Sequence, residues 1–460
     1  MLKPLVYVSL AWLWLSLSSQ VAAESAEQLF ARYQPALLQV RVVENASTAK
    51  AAIGTGFVID IPAKPDAAQS PLTIEPTATS DSAERNGSRQ TSASSLAPAH
   101  SQRLVVTNYH VVSEAVLFPE KYQLQYLDYQ EQKGALQVVA VDVINDLALL
   151  STDYQPSQLF RLAAQTPVQG ASLYSLGNPH DLGMMLVPGT YNGLQKSSYY
   201  PRVHFTGAIN SGMSGGPTVD ANGDVVGVNV ASAGNQLGFL VPVDSLSKLV
   251  ASYQADTQAV AFKQHIQTQL QNNQAQMLDK ILQAQWQLKD FGNGQVPDEV
   301  VPFVRCWGES NLEKNKDKLK EINAFCSQSD EIYLSSRLTT GRIEMQFSWL
   351  QGANMHPLQF YRRYQARIQS LTADNQASKE DVTPFRCQNQ VVTNAAGRHA
   401  KTILCVRAYR HYDDLFDALY LAAAVDGQQQ GMISHYTLSG VSQPMAQAFL
   451  QKFSGAVTWQ

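Results

Sequence analysis

From Ala26 to about Ser252 the chain is a succession of short segments rich in β-branched residues, and this density of strands constrains its fold more than any other feature. Leu37 to Val43 (LLQVRVV), Gly56 to Ile61 (GFVIDI), Leu104 to Val112 (LVVTNYHVV), Leu136 to Val143, Leu147 to Ser151 and Val225 to Val230 all carry the pattern. Such side chains suit a pleated, buried surface. Gly and Asn separate the segments at short intervals, and no helical pattern alternates with them. A closed all-β architecture is expected, not a set of βαβ units.

The strongest local signal within this region is Asn210-Ser211-Gly212-Met213-Ser214-Gly215-Gly216-Pro217. A serine hydroxyl is a poor nucleophile until a base removes its proton and nearby amides stabilise the oxyanion. Glycines let the chain bend so that N–H groups converge. The oxyanion hole is expected from the backbone of Gly212, Met213 and Ser214, with Gly212 and Ser214 donating on either side of Met213. Gly-x-Ser-x-Gly also describes the strand-to-helix elbow of α/β-hydrolases. Here Pro217-Thr218-Val219-Asp220 runs through Ala221-Asn222-Gly223-Asp224 into Val225-Val226-Gly227-Val228, which reads as strand, turn, strand. That order excludes the elbow.

A base must accompany the serine, and His110 is the best placed of the nine histidines. It stands where a strand, Val106-Thr107, enters a turn or short helix. A lone histidine there is most often structural, and an acid before an apolar strand, as Asp146 is before Leu147-Ala148-Leu149-Leu150, is most often a turn residue. The order His110, Asp146, Ser214 changes both expectations, because three loops could then supply base, orienting acid and nucleophile.

The motifs TNYHVV, DLALL, SLGNP (Ser175 to Pro179) and NSGMSGGP, in that order, resemble the trypsin-like HtrA/Deg proteases of bacteria. GTGFVID before the histidine and LGFLVPVD (Leu237 to Asp244) after the serine are similar as well. The resemblance covers Ala26 to about Ser252, roughly half of the chain. It implies an all-β chymotrypsin-like double β-barrel protease domain, His110, Asp146 and Ser214 as the triad, and no cofactor. It also implies that Ala208, six residues before the serine, lies at the base of the primary specificity pocket, lined further by Ile209, Val230 and Ala231. With no carboxylate there, a small or medium apolar residue is expected before the scissile bond. Asn229 to Asn235 is expected to form the wall on which polypeptide substrate pairs as an added strand. No PDZ-like segment follows, and Met213 stands where digestive proteases carry an activating aspartate.

The remainder divides by composition. Residues 1–23 read as a signal peptide: Lys3, an apolar run from Leu5 to Leu17, then Val21-Ala22-Ala23. The run is shorter than the ~18–20 residues of a spanning helix, so no transmembrane segment is expected after its removal, and a periplasmic or secreted destination is. The protease domain is assigned to 24–252, with 62–102, dominated by Ala, Ser, Thr and Pro, as a disordered insertion. A helical connector is expected over 253–295, on the spacing of Phe262, Ile266, Leu270, Met277, Ile281 and Leu288 up to a stop at Phe291-Gly292-Asn293-Gly294.

An α+β accessory domain is expected over 296–460. Its hairpins would be Glu331–Arg337 with Arg342–Leu350, and Cys387–Thr393 with Lys401–Tyr409; its helices would be Leu358–Leu371 and Gln443–Phe453. All four cysteines lie in this part. An exported chain with an even count suggests disulfides, and of three pairings the neighbouring one, Cys306 with Cys326 and Cys387 with Cys405, is expected. No CxxC occurs, so no metal site is expected.

With 45% hydrophobic and 16% charged residues, 460 residues can bury more than one core. A net charge of −4 offers no basic excess for a phosphate backbone, so nucleic acid is not an expected partner. An oligomer is left open. Two functions compete: an exported endopeptidase acting on unfolded or damaged proteins, and a chaperone-like client-binding protein of the cell envelope with suppressed or incidental proteolysis.

Overall fold

The computed structural model describes residues 24–459 apart from 48, 63–100, 235, 256–260, 314–317, 329, 374, 395–396 and 426. The expected signal peptide, and the expected insertion but for its ends, lie outside these residues. Its ends prove to be strand: Pro62 and Ser101 face each other in register across the second and third strands.

After helix α1 (Ala26–Tyr33) come β1 (Leu37–Glu44), β2 (Lys50–Pro62), β3 (Ser101–Thr107), helix α2 (Tyr109–Leu117), β4 (Tyr122–Leu127), β5 (Lys133–Asp142) and β6 (Leu147–Ser151). These six strands close into an antiparallel barrel in the order β1-β2-β3-β6-β5-β4, with β4 returning to β1. One set of side chains, Leu38, Val40, Val58, Val105, Ala148 and Leu150 among them, fills its interior. The alternate set, Leu37, Phe57, Ile59, Leu104, Val106, Leu147 and Leu149, is buried against the second barrel. Strands buried on both faces read as continuous apolar runs instead of alternating ones, which accounts for their appearance in the sequence.

The second barrel contains β8 (Ser172–Gly177), β9 (Met185–Leu194), β10 (Val203–Phe205), β11 (Pro217–Val219), β12 (Asp224–Ser232) and β13 (Gly238–Pro242). Strand β11 pairs with both β8 and β12 and so closes the ring, while the short β7 (Arg161–Leu162) lies parallel to β12. Leu173, Val203, Phe205, Ile209, Met213, Val226 and Leu240 form its core. The closed all-β architecture expected from the strand pattern, and the double barrel that the resemblance implies, are therefore the fold. Helix α3 (Val243–Ala255), where no helix is expected, sets Leu246, Leu249 and Val250 into the seam between the barrels.

Helix α4 (Phe262–Gln283) serves two cores. Its first half buries Ile266 and Leu270 against barrel one, and its second half buries Met277, Leu278 and Ile281 against the C-terminal sheet. Gln269 mimics a strand neighbour: its amide donates to Val141 O (2.8 Å) and accepts from Val143 N–H (2.9 Å). Leu288 does not continue the helix. It opens β14 (Leu288–Phe291), an exposed position, and Gly292-Asn293 turns that strand back into β15 (Gly294–Pro297) instead of stopping a helix.

The C-terminal part is an antiparallel sheet of seven strands: β16 (Arg305–Ser310), β17 (Leu319–Gln328), β20 (Ile343–Gly352), β21 (Arg386–Thr393), β22 (His399–Ala408), β23 (Phe416–Ala424) and β24 (Gln430–Val441), in the order β16-β17-β20-β24-β23-β22-β21. Helix α6 (Gln443–Ala456) places Phe449 and Phe453 on one face, and α5 (Pro357–Gln369) covers the other with Phe360 and Tyr364. The short β25 (Thr458–Trp459) joins β15. One expected hairpin is different: β18 (Ile332–Ser335) pairs with β19 (Leu338–Thr340), while β20 pairs with β17 and β24. Cys306 opposes Cys326 and Cys387 opposes Cys405 in strand register, each pair at bonding distance. Each bridge ties an outermost strand of the sheet to its neighbour.

Candidate active site

The site lies between the barrels. Helix α2 begins directly after β3, so His110 sits in its first turn, and the β5–β6 turn brings Asp146 beneath it. His110 Nδ1 lies 2.6 Å from one Asp146 carboxylate oxygen, and His110 N–H donates to the other (2.8 Å). Asn108 Nδ2 donates to Asp146 O (2.7 Å) and fixes that residue's backbone. Asp146 holds φ at +63°, a conformation few non-glycine residues adopt but one that Asp tolerates through its short polar side chain. Burial alone would lower the His110 pKa; the charge and hydrogen bond of Asp146 outweigh it and raise the pKa above its ordinary value.

The Ser214 loop is held from three sides. Thr55 of β2 reaches it across the barrel seam: its N–H donates to Ser214 O (2.8 Å), and its hydroxyl donates to Gly212 O (2.7 Å) while accepting from Asn178 N–H (3.0 Å). His180 N–H donates to Ser211 O (2.8 Å). Asn229 of β12, fully buried, accepts the hydroxyls of Ser175 (2.8 Å) and Thr218 (2.7 Å), and donates to Leu176 O (3.0 Å) and Met213 O (3.2 Å). All four hydrogen-bonding positions of that amide are used. Gly212 (φ +94°) has no room for a side chain, since a Cβ would meet Asn178 O at 2.3 Å.

Two of the three expected oxyanion donors remain available. The amides of Gly212 and Ser214 have no acceptor among the described residues, whereas Met213 N–H donates to Asn210 O (3.0 Å) and its side chain fills the barrel core. Met213 is thus removed from the donor set by the turn that shapes the loop. Among the described residues no hydrogen bond joins Ser214 Oγ to His110. Such contacts commonly tighten only when substrate arrives.

Of the expected pocket residues, Ala208 and Ala231 are exposed, Val230 is half-buried, and Ile209 is buried. Ile209 packs where β13 passes, so that a Cβ on Gly238 would meet its Cδ1 at 2.8 Å. Asn229 cannot open the substrate wall as expected: its N–H and C=O are engaged by Gly216 O and Gly215 N–H, both at 2.9 Å. An added strand would have to begin beyond it.

Sequence reasoning missed Thr55 as a brace for the serine loop, and it missed the inward role of Asn229. For Asn229 a signal existed, since an amide inside Val225-Val226-Gly227-Val228-Asn229-Val230 is out of place in a strand unless it is bonded. It also missed that the C-terminal part reaches this site, where the Tyr333 ring on β18 stands edge-to-face against His110 (centroids 5.8 Å apart).

Residues 96–228 match the family model described as Trypsin-like peptidase domain. Protease Do-like 5, chloroplastic, of Arabidopsis thaliana is 28% identical over 170 residues, 32% of this chain and 52% of that protein. Probable periplasmic serine protease do/HhoA-like of Haemophilus influenzae is 32% identical over 164 residues, 33% of this chain and 34% of that protein. Periplasmic serine endoprotease DegP of Escherichia coli is 31% identical over 160 residues, 32% of each. The chain spans between about a third and a half of the length of these relatives. The crystal structure of the serine endoprotease from Yersinia pestis aligns over 51% of this chain and 68% of that one, with a TM-score of 0.37 and 20% identity.

Proposed function

From a chain whose residues 96–228 match a trypsin-like peptidase domain, and which is similar to periplasmic Do-type serine proteases over about a third of its length, we propose an exported serine endopeptidase that cleaves unfolded or damaged polypeptides through Ser214, His110 and Asp146. The observation that carries this reading is the His110 Nδ1 to Asp146 contact of 2.6 Å, beside a serine loop with two unengaged amides.

In the reaction, neutral His110 takes the Ser214 proton at Nε2 as Oγ attacks the scissile carbonyl. Asp146 holds the tautomer with the proton on Nδ1 and stabilises the imidazolium. The amides of Gly212 and Ser214 receive the oxyanion, and the imidazolium then protonates the leaving amine. Water hydrolyses the acyl-enzyme by the same proton route. Substrate pairs as an added strand along β12 from Val230 onward, with a small or medium apolar side chain directed toward Ala208 and Ile209. We place the end of the protease domain near 252, within α3, and the end of the connector at Gln283, because Phe291 and Val296 of β14 and β15 join the C-terminal core; a periplasmic or secreted location follows the printed names of the bacterial relatives.

The test is Ser214→Ala. Casein cleavage should fall by about 10⁶, and labelling by a fluorophosphonate should vanish. Cleavage at the wild-type rate would refute the protease reading. A wild-type chain that neither cleaves nor labels, yet suppresses client aggregation, would favour the binding protein instead.

A further inference from the structure

The C-terminal part is built onto the helix that carries His110. Tyr109 Oη donates to Leu334 O (3.1 Å) in a buried contact, and Ser336 Oγ donates to Glu114 (2.9 Å). Ile332, Leu334 and Leu338 share one buried cluster with Val111, Val112 and Ala115. The hairpin β18–β19 therefore moves with α2. Strand alternation then fixes Tyr333: its neighbours Ile332 and Leu334 point into the core, so its side chain points the other way, against the His110 ring at 5.8 Å and 68°. Ser113, one turn beyond His110 on α2, bonds to His110 O (3.3 Å) and interacts with the Tyr333 hydroxyl.

The imidazole must reach both the Ser214 hydroxyl and the leaving amine during turnover. Residues flanking the scissile bond must accordingly pass within contact of its ring. An aromatic side chain held against that ring narrows their path. From this geometry we infer that Tyr333, contributed by the C-terminal part, forms the wall of the cleft beside His110 and selects against bulky substrate residues adjacent to the scissile pair. The inference rests on the endopeptidase reading. It makes the C-terminal part a component of the active site.

The experiment uses the full chain with Tyr333→Ala, Tyr333→Phe and Tyr333→Trp, each assayed on peptides that differ only in the residue next to the scissile pair: Gly, Ala, Leu or Trp. Wild type should prefer Gly and Ala. Tyr333→Ala should raise kcat/KM for the Leu and Trp peptides at least tenfold relative to Gly, mostly through KM. Tyr333→Phe should restore the wild-type order, and Tyr333→Trp should sharpen it. Should Tyr333→Ala fail to fold, the Trp variant decides alone. A selectivity profile unchanged within twofold in folded, fluorophosphonate-reactive variants overturns this inference and leaves the protease reading standing. Absence of labelling in wild type overturns the protease reading itself.

Discussion

Replacing Asn229 with aspartate alters the chemistry of one atom at the centre of the serine loop and should destabilise the protein in a pH-dependent way. The isosteric side chain keeps the hydroxyls of Ser175 and Thr218 as donors, but where Nδ2 now donates to Leu176 O and Met213 O a carboxylate oxygen would face two carbonyl oxygens. Folding would hold the acid protonated, raising its pKa above the ~3.9 of an exposed aspartate. The folded state then binds a proton that the unfolded state releases. Stability consequently falls with rising pH, by about 1.4 kcal/mol per unit, until the folded-state pKa is reached. From pH 5 to pH 7 the loss is about 2.7 kcal/mol when that pKa exceeds 7.

Asn229→Ala removes the same donated bonds without adding a titrating group. Met213 O keeps the Gly216 N–H (3.0 Å), but Leu176 O loses its side-chain donor and the buried hydroxyls of Ser175 and Thr218 lose their shared acceptor, each unsatisfied group costing about 1–3 kcal/mol. Both variants should be compared in a Ser214→Ala background, to prevent self-digestion, by urea unfolding at pH 5, 6 and 7 followed by circular dichroism. A difference between the Asp and Ala variants that stays constant with pH would refute the reasoning. So would either variant matching its parent within about 0.5 kcal/mol, the range of ordinary surface changes.

Gly212→Ala should lower kcat/KM at least 100-fold, because a Cβ 2.3 Å from Asn178 O displaces an oxyanion amide; retention of more than half the activity would contradict the assignment. For Asp146→Asn, kcat should drop by about 10⁴. The acid limb of its residual pH–rate profile should also move to lower pH, since burial, which lowers the His110 pKa, is no longer outweighed. A limb that stays in place would separate His110 from that titration.

Much of the double barrel was legible because its determinants are local. Strands buried on both faces announce themselves as β-branched runs, and a serine loop that must bend announces itself in glycines. His110, Asp146 and Ser214 could be picked out because each needs a particular residue type in a particular turn. The C-terminal part was read less well. Leu288 continues the helical spacing of α4 yet starts a strand, and Glu331–Arg337 has strand character without revealing that its partner is β19 and not β20. Spacing reports which face a residue takes within an element, and it carries no information about where the element ends against a neighbour.

By itself, then, the sequence determined the strand character of several barrel segments, the even set of cysteines available for disulfides, and the residue types available for acyl transfer. Tertiary structure decided which amides stay free at the oxyanion position, because the Asn210–Met213 turn removes one of three. It decided that Thr55 and Asn229 brace the serine loop, through contacts between residues more than a hundred positions apart in one case. It also placed Tyr333 against His110, a meeting set by the buried cluster that β18 and β19 share with α2. Pairings of that kind depend on the path of the whole chain, and no local pattern encodes them.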